Sequence, residues 1–284
     1  MSTIFPPFDP DGPEQPRKAR FRPVPFRMIL PNLVTLLALC AGLTGIRMAI
    51  EDRLELALAA IVLAAMLDAV AGRVARYLKS TSRFGAELDS LADFVNFGVA
   101  PAMVLYTWLL FEARSLGWIA ALVFAICTAL RLARFNVALD NPATPDWQRN
   151  FFKGVPAPAG ALTVLLPIYL ELLGMPRFAG EAQIVLVYVL VIALLMVSQL
   201  PTWSGKKMGQ RIPREMVLPL FVLVVLFVAL LVSFPWHVLT FTTLVYLLCL
   251  PLGWRAWRGH MATEGPEAQV IPDVPDSGDE STGI

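Results

Sequence analysis

Apolar blocks of about 20 residues recur along this chain, and they restrict it to folds that a lipid bilayer can hold. A helix of that length spans a hydrocarbon core of roughly 30 Å. The whole sequence is 57% hydrophobic and 16% charged, whereas a soluble domain averages about 45–50% apolar and about 25% charged residues. We therefore predict an all-α, polytopic membrane protein.

The apolar blocks predict eight transmembrane helices. Their approximate ranges are 28–50, 54–78, 84–112, 116–139, 155–174, 182–202, 215–233 and 236–254. In this arrangement all but four of the 23 Lys and Arg residues lie on the side of the membrane that holds both termini. The positive-inside rule assigns that side to the cytoplasm. We expect a multi-pass protein of the cytoplasmic or inner membrane.

Pro-rich, polar segments flank the predicted membrane domain, which covers residues 26–258. Residues 1–25 and the acidic residues 259–284 carry too little apolar surface to form a core, and we predict that both are disordered. The net charge of +1 argues against nucleic acid as a partner. No segment predicts a soluble catalytic domain, so any chemistry must come from the membrane helices.

Three aspartates lie where the second and third predicted spans meet. Asp89 and Asp93 are four residues apart and share a helical face, and a chain reversal near residues 79–83 brings Asp68 to a similar depth. Ionisable groups at that depth are costly unless they face a partner or a water-filled cavity. Three carboxylates would repel one another unless a cation joined them. Mg²⁺ and Mn²⁺ prefer oxygen ligands and leave positions open for substrate phosphates.

Small residues accompany the aspartates. Gly72 and Ala75 on the second span, and Gly85 at the start of the third, leave room for a bulky ligand to approach both backbones. Arg76 stands one turn beyond Gly72, where it could contact a pyrophosphate. A salt-bridged helix pair is the alternative, with Asp68 neutralised by a neighbouring arginine and the small residues serving close packing. Such a pair needs fewer acids than this segment carries.

The segment reads D-x-x-A-G-x-x-A-R, then eight residues, then G-x-x-x-D-x-x-x-D. It resembles the signature of the CDP-alcohol phosphatidyltransferases, D-x-x-D-G-x-x-A-R followed by G-x-x-x-D-x-x-x-D, and departs from it at one position. The stretches PNLVTLLALCAGLTGI, FGAELDSLADFVNFGVAPA, LRLARFNVA, FFKGVPAPAG and PTWSGKK look like the phosphatidylserine synthase branch of that family. The resemblance covers roughly residues 25–258.

This resemblance implies transfer of the phosphatidyl group of CDP-diacylglycerol to L-serine, which gives phosphatidylserine and CMP, at a site facing the cytoplasm. It implies that Asp68, Asp89 and Asp93 hold Mg²⁺ or Mn²⁺, two ions per site, and that Asp93 also accepts the proton of the attacking hydroxyl. It further implies a homodimer among membrane lipids. The CDP site would be lined by Ala71, Gly72, Ala75, Arg76 and Gly85.

Ala71 occupies the one departing position, where the family carries a metal-binding aspartate. Loss of an anionic ligand should weaken metal and nucleotide binding. An introduced substitution that arrests the enzyme is the explanation we favour, because the rest of the signature is intact. A natural variant that is degenerate or uses another ligand is the alternative, and a catalytically dead membrane scaffold is a third interpretation.

The acceptor pocket is less defined. Arg131, Arg134, Asn136, Lys153 and Ser82 are candidates for contacts to the lipid phosphate or to serine. The cationic members of this group could equally be topology signals. The same chemistry with glycerol 3-phosphate, inositol phosphate or choline stays open. A transporter is a further alternative, but it predicts a polar path through both leaflets, and the later spans carry no second acidic set.

Two polar residues of the first span, Asn32 and Thr35, could face the nucleotide cavity. Helix capping or hydrogen bonds between helices would explain them equally well.

Overall fold

The computed structural model describes residues 26–80, 82–139, 151–198, 201–203 and 214–263. Within these residues the chain is helical apart from two short strands. The elements are α1 (Phe26–Ile50), α2 (Leu54–Tyr77), α3 (Arg83–Phe94), a π-helix (Val95–Val99), α4 (Ala100–Trp108), a 3₁₀-helix (Leu110–Ala113), α5 (Arg114–Leu139), β1 (Phe151–Lys153), α6 (Ala157–Val164), α7 (Leu166–Leu172), α8 (Glu181–Val197), β2 (Pro201–Trp203), α9 (Arg214–Ser233) and α10 (Pro235–Thr263).

Five helical stretches of the described residues are long and apolar enough to cross a membrane. They are Ile29–Ile50, Leu54–Tyr77, Arg83–Trp108, Leu110–Ala138 and Met216–Ser233. This finding agrees with the predicted helical, multi-pass membrane protein. Two further apolar helices, Glu181–Val197 and Pro235–Pro251, are shorter.

The predicted span 155–174 consists of two short helices, α6 and α7, which meet at Leu165. Pro167 lies in the first turn of α7. Because proline has no backbone N–H, it cannot continue the hydrogen-bond ladder of α6, and the first turn of a new helix tolerates it. The apolar block therefore does not form one continuous helix.

Two strands depart from the purely helical prediction. β1 and β2 pair antiparallel, with Phe151 opposite Trp203 and Lys153 opposite Pro201. The predicted helix 182–202 is accordingly too long at its C-terminal end, because α8 ends at Val197 and Ser198 is extended, with ψ of 160°. Pro201 then enters the strand, where a missing N–H is tolerated at an edge.

Helix pairing determines where the polar residues lie. α1 packs against α2 along its length, and α5 packs against α8. Close approach in the first pair depends on Gly45, where an added Cβ would lie 3.1 Å from the carbonyl oxygen of Ala57. The largest fully buried side chains include Phe97 and Phe124. Leucines and valines cover the outer surface, as in a helical protein whose solvent is lipid.

A tight reversal places α3 beside α2. Lys79 adopts a left-handed conformation with φ of 49°, and the N–H of Ser80 donates to the carbonyl oxygen of Ala75 at 3.0 Å. This pattern of a left-handed residue and a reverse hydrogen bond ends many helices. Ser82 then caps α3, because its Oγ accepts from the N–H of Gly85 at 3.0 Å. The turn brings the start of α3 alongside the end of α2.

A π-helix joins α3 to α4, so that Arg83–Trp108 runs as one helical stretch. The predicted span continued to residue 112. Instead, helix α4 ends at Trp108, a 3₁₀-helix follows, and Arg114 with φ of 52° begins α5. The hydrophobic periodicity of the sequence does not predict these two changes in helical pitch, the π-helix and the 3₁₀-helix.

At the end of the bundle opposite the aspartates, Glu171 joins α4 to the loop after α7. Its carboxylate accepts a hydrogen bond from Trp108 Nε1 and two from Arg177, at 3.0 and 3.3 Å. The Arg177 guanidinium also lies 5.6 Å from the centroid of the Trp108 ring. The pKa of Arg177 is raised because Glu171 accepts these hydrogen bonds. Three segments are thereby tied together at this end.

Candidate active site

The structure brings together the three aspartates that the sequence singles out. Asp68 projects from α2, and Asp89 and Asp93 project from the same face of α3. One carboxylate oxygen from each residue lies within 4.8 Å of the others. All three side chains are half-buried. The hairpin at Lys79 is what allows two helices to contribute to one cluster.

The cluster concentrates negative charge with little compensation from the protein. Asp68 interacts with both of the other carboxylates, and Asp93 Oδ1 is buried without a hydrogen-bond partner among the described residues. Buried, uncompensated carboxylates are costly. The residues fit a divalent cation, because oxygens bound to one such ion at 2.0–2.6 Å are about 3–5 Å apart. Carboxylate oxygens are also the donors that Mg²⁺ and Mn²⁺ prefer.

Ala71 lies three residues after Asp68 on α2 and is 2% exposed. Residues three apart on a helix are neighbours on its surface. The methyl group of Ala71 offers no ligand atom, so the cluster has three carboxylates and not four.

Open space lies beside Gly72, where an added Cβ would meet no atom within 4 Å. Arg76 is exposed one turn further along, and its Nε donates to the carbonyl oxygen of Gly72 at 3.0 Å. Ala75 is half-buried on the same helix. This stretch of α2 therefore presents an open backbone and an exposed guanidinium close to the acidic cluster.

Gly85 is crowded where Gly72 is open. A Cβ at Gly85 would lie 2.9 Å from Asn32 Oδ1 and 3.1 Å from Ser82 Oγ. The small residue thus admits the Asn32 side chain of α1 to the first turn of α3. Ser82, a candidate for the acceptor pocket, uses its hydroxyl as the cap of α3.

Thr35 connects α1 to the acidic cluster. Its side chain is buried, and its hydroxyl forms a hydrogen bond with Asp89 and lies 3.3 Å from the carbonyl oxygen of Pro31. A hydroxyl in that position orients the carboxylate, as groups around metal ligands commonly do. Both residues of α1 therefore contact α3: Asn32 lies beside Gly85, and Thr35 interacts with Asp89 of the acidic cluster.

Two of the candidate acceptor residues have partners within the protein. Arg134 Nη2 donates to the carbonyl oxygens of Val197 and Ser198 at 2.7 and 3.3 Å, at the C-terminal end of α8. A cation there satisfies carbonyls that the helix leaves unpaired. Asn136 Nδ2 donates to Ser90 Oγ at 2.9 Å and joins α5 to α3.

Arg131 differs from these two, because it is buried beside the aspartates. It is 8% exposed, its Nε has no hydrogen-bond partner among the described residues, and its charge interacts with Asp93. Lys153 lies in β1, opposite Pro201, and its side chain lies outside the described part of the structure.

Sequence reasoning did not single out Asn96, which lies in the π-helix three residues after Asp93. Its side chain is fully buried, and neither amide atom has a hydrogen-bond partner among the described residues. A Cβ at Gly42 would lie 2.1 Å from Asn96 Oδ1, so α1 leaves space for this amide. The signal available in the sequence was a lone asparagine within an apolar run.

Comparison with known proteins gives consistent matches. The model of the CDP-alcohol phosphatidyltransferase family matches residues 28–195, and that of CDP-alcohol phosphatidyltransferase 2 matches residues 215–251. A CDP-diacylglycerol–serine O-phosphatidyltransferase of Mycobacterium leprae is 41% identical over 78% of this chain and 73% of its own length. Proteins with the same description from Mycobacterium tuberculosis (38% identity; 81% and 79% covered) and Helicobacter pylori (32%; 80% and 91%) are also similar.

Proposed function

Because this chain belongs to the CDP-alcohol phosphatidyltransferase family and is a membrane phosphatidyltransferase, we propose that it transfers the phosphatidyl group of CDP-diacylglycerol to L-serine. The products are phosphatidylserine and CMP. The names of the relatives support serine as the acceptor, since they are described as serine O-phosphatidyltransferases.

The convergence of Asp68, Asp89 and Asp93 is the observation that carries the chemistry of this proposal. The three residues would hold Mg²⁺ or Mn²⁺, two ions in the arrangement that the family implies. When bound, such ions neutralise charge on the pyrophosphate and on the departing CMP.

The protein's own groups then bind and orient the reactants. Asp93 has a buried, unpartnered carboxylate oxygen and would accept the proton of the serine hydroxyl. The serine oxygen forms a bond to the lipid-linked phosphorus as the bond from that phosphorus to the CMP oxygen breaks. Thr35 would keep Asp89 oriented. Catalysis of this kind depends on position and electrostatics rather than on a covalent intermediate.

The nucleotide would lie along α2 and the start of α3, next to Gly72, Ala75, Arg76 and Gly85. The open space at Gly72 and the exposed guanidinium of Arg76 support this placement. A site near the cytoplasmic face lets the acyl chains stay in the bilayer while the soluble acceptor arrives from water. We extend the proposal to eight spans, cytoplasmic termini and a homodimer.

Ala71 should lower the activity of this chain. An aspartate at that position of α2 would add a fourth carboxylate next to Asp68, and its absence leaves the cation with one anionic ligand fewer. We propose that the chain binds metal and nucleotide weakly for this reason.

The test uses the chain with Ala71, here termed the native chain, and its Ala71→Asp variant, both purified in detergent with CDP-diacylglycerol and either Mg²⁺ or Mn²⁺. Radiolabelled L-serine, glycerol 3-phosphate, inositol phosphate and choline are supplied one at a time. We expect Ala71→Asp to form labelled phosphatidylserine and to release CMP at least about tenfold faster than the native chain.

Ala71→Asn is the matched control, because it has the size of aspartate without the charge. It should not restore the rate. Labelled product from a non-serine alcohol alone would replace serine as the acceptor. If Ala71→Asp released no CMP with any acceptor and either metal, the chain would instead be a scaffold, the second function that Ala71 suggests.

A further inference from the structure

Tyr246 of α10 has a hydroxyl group that the fold buries and leaves unused. Its Oη is inaccessible to solvent and has no hydrogen-bond partner among the described residues. Leaving such a group without a partner costs free energy. An exception of this kind needs a physical reason, and a ligand that binds the group is one.

Arg131 of α5 is the charged group that interacts with Tyr246. Tyr246 and Arg131 interact electrostatically, and Arg131 also interacts with Asp93. Arg131 is 8% exposed, and its Nε is buried without a partner among the described residues. Arg131 thus interacts with polar groups of two other helices, and three atoms in this set are buried without a hydrogen-bond partner among the described residues: Asp93 Oδ1, Arg131 Nε and Tyr246 Oη.

We propose that Tyr246 determines acceptor specificity by donating its hydroxyl hydrogen to the carboxylate of an amino-acid acceptor, which Arg131 neutralises. This inference rests on the proposed function, since it names a contact of the acceptor in the same site. The proposal gives a role to α10, the last described helix, which lies outside the sequence motif that contains the aspartates.

The chemistry of the three groups suits a small hydroxy amino acid. Its hydroxyl must reach Asp93, and its carboxylate is only two carbon atoms away. A buried carboxylate needs a positive charge and further donors. Arg131 supplies the charge and Tyr246 a donor, so the carboxylate end is held while the hydroxyl end faces the proton acceptor.

The neighbouring cations do not replace Arg131 in this role. Arg134 donates to the carbonyl oxygens at the end of α8, and Arg76 lies exposed on α2 with its Nε on the carbonyl oxygen of Gly72. The phosphate of CDP-diacylglycerol is the other anion in the reaction, and the experiment separates it from the acceptor carboxylate.

Equilibrium binding tests the inference without turnover. Tritiated L-serine and, separately, labelled CDP-diacylglycerol are bound to the detergent-solubilised native chain and to Ala71→Asp, each with and without Tyr246→Phe. Serinol, in which a CH₂OH group replaces the carboxylate, is the comparison ligand. We expect Tyr246→Phe to raise the Kd for L-serine by about tenfold to a hundredfold, as for loss of a hydrogen bond to a charged group, and to leave CDP-diacylglycerol and serinol binding unchanged.

Tyr169→Phe is the matched control. The Tyr169 hydroxyl is also buried and unpartnered among the described residues, but its electrostatic neighbour is Tyr188 and not Arg131. It should bind L-serine as the parent does. In Ala71→Asp, the KM for L-serine should rise with the same Tyr246→Phe change while the KM for CDP-diacylglycerol stays constant.

Three results with the variants would overturn the inference: unchanged L-serine binding by Tyr246→Phe, an equal loss in Tyr169→Phe, or weaker binding of CDP-diacylglycerol alone. The third would assign the hydroxyl to the lipid phosphate. Absence of L-serine binding by both parent chains would also overturn it. Failure of the proposed function is a separate result, because it is read from which labelled lipid Ala71→Asp produces.

Discussion

At the scale of single residues, the dominant feature is that three carboxylates share a half-buried space. The backbone geometry of α2 and α3 holds the three carboxylates close together, although their charges repel one another. Nothing among the described side chains offsets all of this charge, since Arg131 interacts with Asp93 alone of the three. A cluster of this kind lowers the stability of the empty protein and favours a cation.

Relative to the native chain, Asp89→Asn should therefore be more stable without metal and less stable with it. Without metal, the substitution removes repulsion, and the melting temperature should rise. With Mn²⁺ in excess, the native chain should gain stability, by about 2.7 kcal/mol at a concentration 100 times the Kd, while Asp89→Asn should gain little. Thermal unfolding in detergent across a Mn²⁺ titration measures both effects.

Glu87→Gln provides the control for that titration, because Glu87 is exposed on the same helix. It should keep the stabilisation by Mn²⁺. If Asp89→Asn were stabilised by Mn²⁺ as strongly as the native chain, Asp89 would not be a metal ligand.

Ser82 gives a second prediction at this scale, because it is both a candidate site residue and the cap of α3. Ser82→Ala should lower the free energy of unfolding by about 1 kcal/mol through loss of the cap. Ser82→Thr retains the capping oxygen and should restore stability. Thermal unfolding without substrate measures the cap alone. If Ser82→Ala left stability intact but raised the KM for a substrate, Ser82 would act as a binding residue instead.

Much of the residue-level site could be predicted because the relevant signals are local in sequence. The i, i+4 spacing of Asp89 and Asp93, together with the reversal near residue 80, suffices to bring them to Asp68. Thr35, which the sequence offers for the nucleotide cavity without identifying its partner, and Tyr246, to which we assign a contact, lie on helices that are distant along the chain. A lone polar residue in an apolar run does not reveal which helix it faces, and only the packing of α1 and α10 against the others does.

At the scale of elements, two glycines illustrate how differently the helices use a missing side chain. A Cβ at Gly117 of α5 would lie 1.8 Å from the carbonyl oxygen of Leu110, and a Cβ at Gly72 of α2 would meet nothing. The first glycine permits the 3₁₀-helix to pack against α5. The second leaves space in the candidate nucleotide site.

Alanine substitutions at these two glycines should have opposite effects. Gly117→Ala forces backbone apart and should destabilise the protein by about 1–3 kcal/mol or more. Gly72→Ala should stabilise α2 by up to about 1 kcal/mol while weakening CDP-diacylglycerol binding. Thermal unfolding and equilibrium binding on the same preparations distinguish the two. Gly72→Ala with unchanged nucleotide affinity would argue against a ligand at that stretch of α2.

The elements also show which structural details the hydrophobic pattern of the sequence does not predict. Hydrophobic blocks predicted α1, α2, α5 and α9 with ends within a few residues of those observed. They did not predict the π-helix that contains Asn96 or the break at Leu165. In a bilayer the apolar pattern continues through such irregularities, because lipid does not penalise an exposed apolar side chain. Helical pitch is then decided by packing contacts rather than by which residues are apolar.

At the scale of the whole molecule, the acidic cluster and the Glu171 contacts lie at opposite ends of the helical bundle. α3 and α4 run from Asp89 at one end to Trp108 at the other. The first end is charged and presents the open space at Gly72, and the second is tied by Arg177, Glu171 and Trp108. This polarity matches the uneven distribution of Lys and Arg, and together they predict which end faces the cytoplasm.

Single cysteines at the two ends of α2 test this orientation. Glu55 and Tyr77 are both exposed, near opposite ends of the same helix. In a chain whose native cysteines are replaced by alanine, we expect a membrane-impermeant maleimide to label Glu55→Cys in intact cells and Tyr77→Cys only after the membrane is permeabilised. The physical reason is that Arg73, Arg76 and Lys79 keep the second end at the anionic cytoplasmic leaflet. The reverse labelling pattern would place the aspartates on the outer face, where CMP release and supply of the acceptor from the cytoplasm would be impossible.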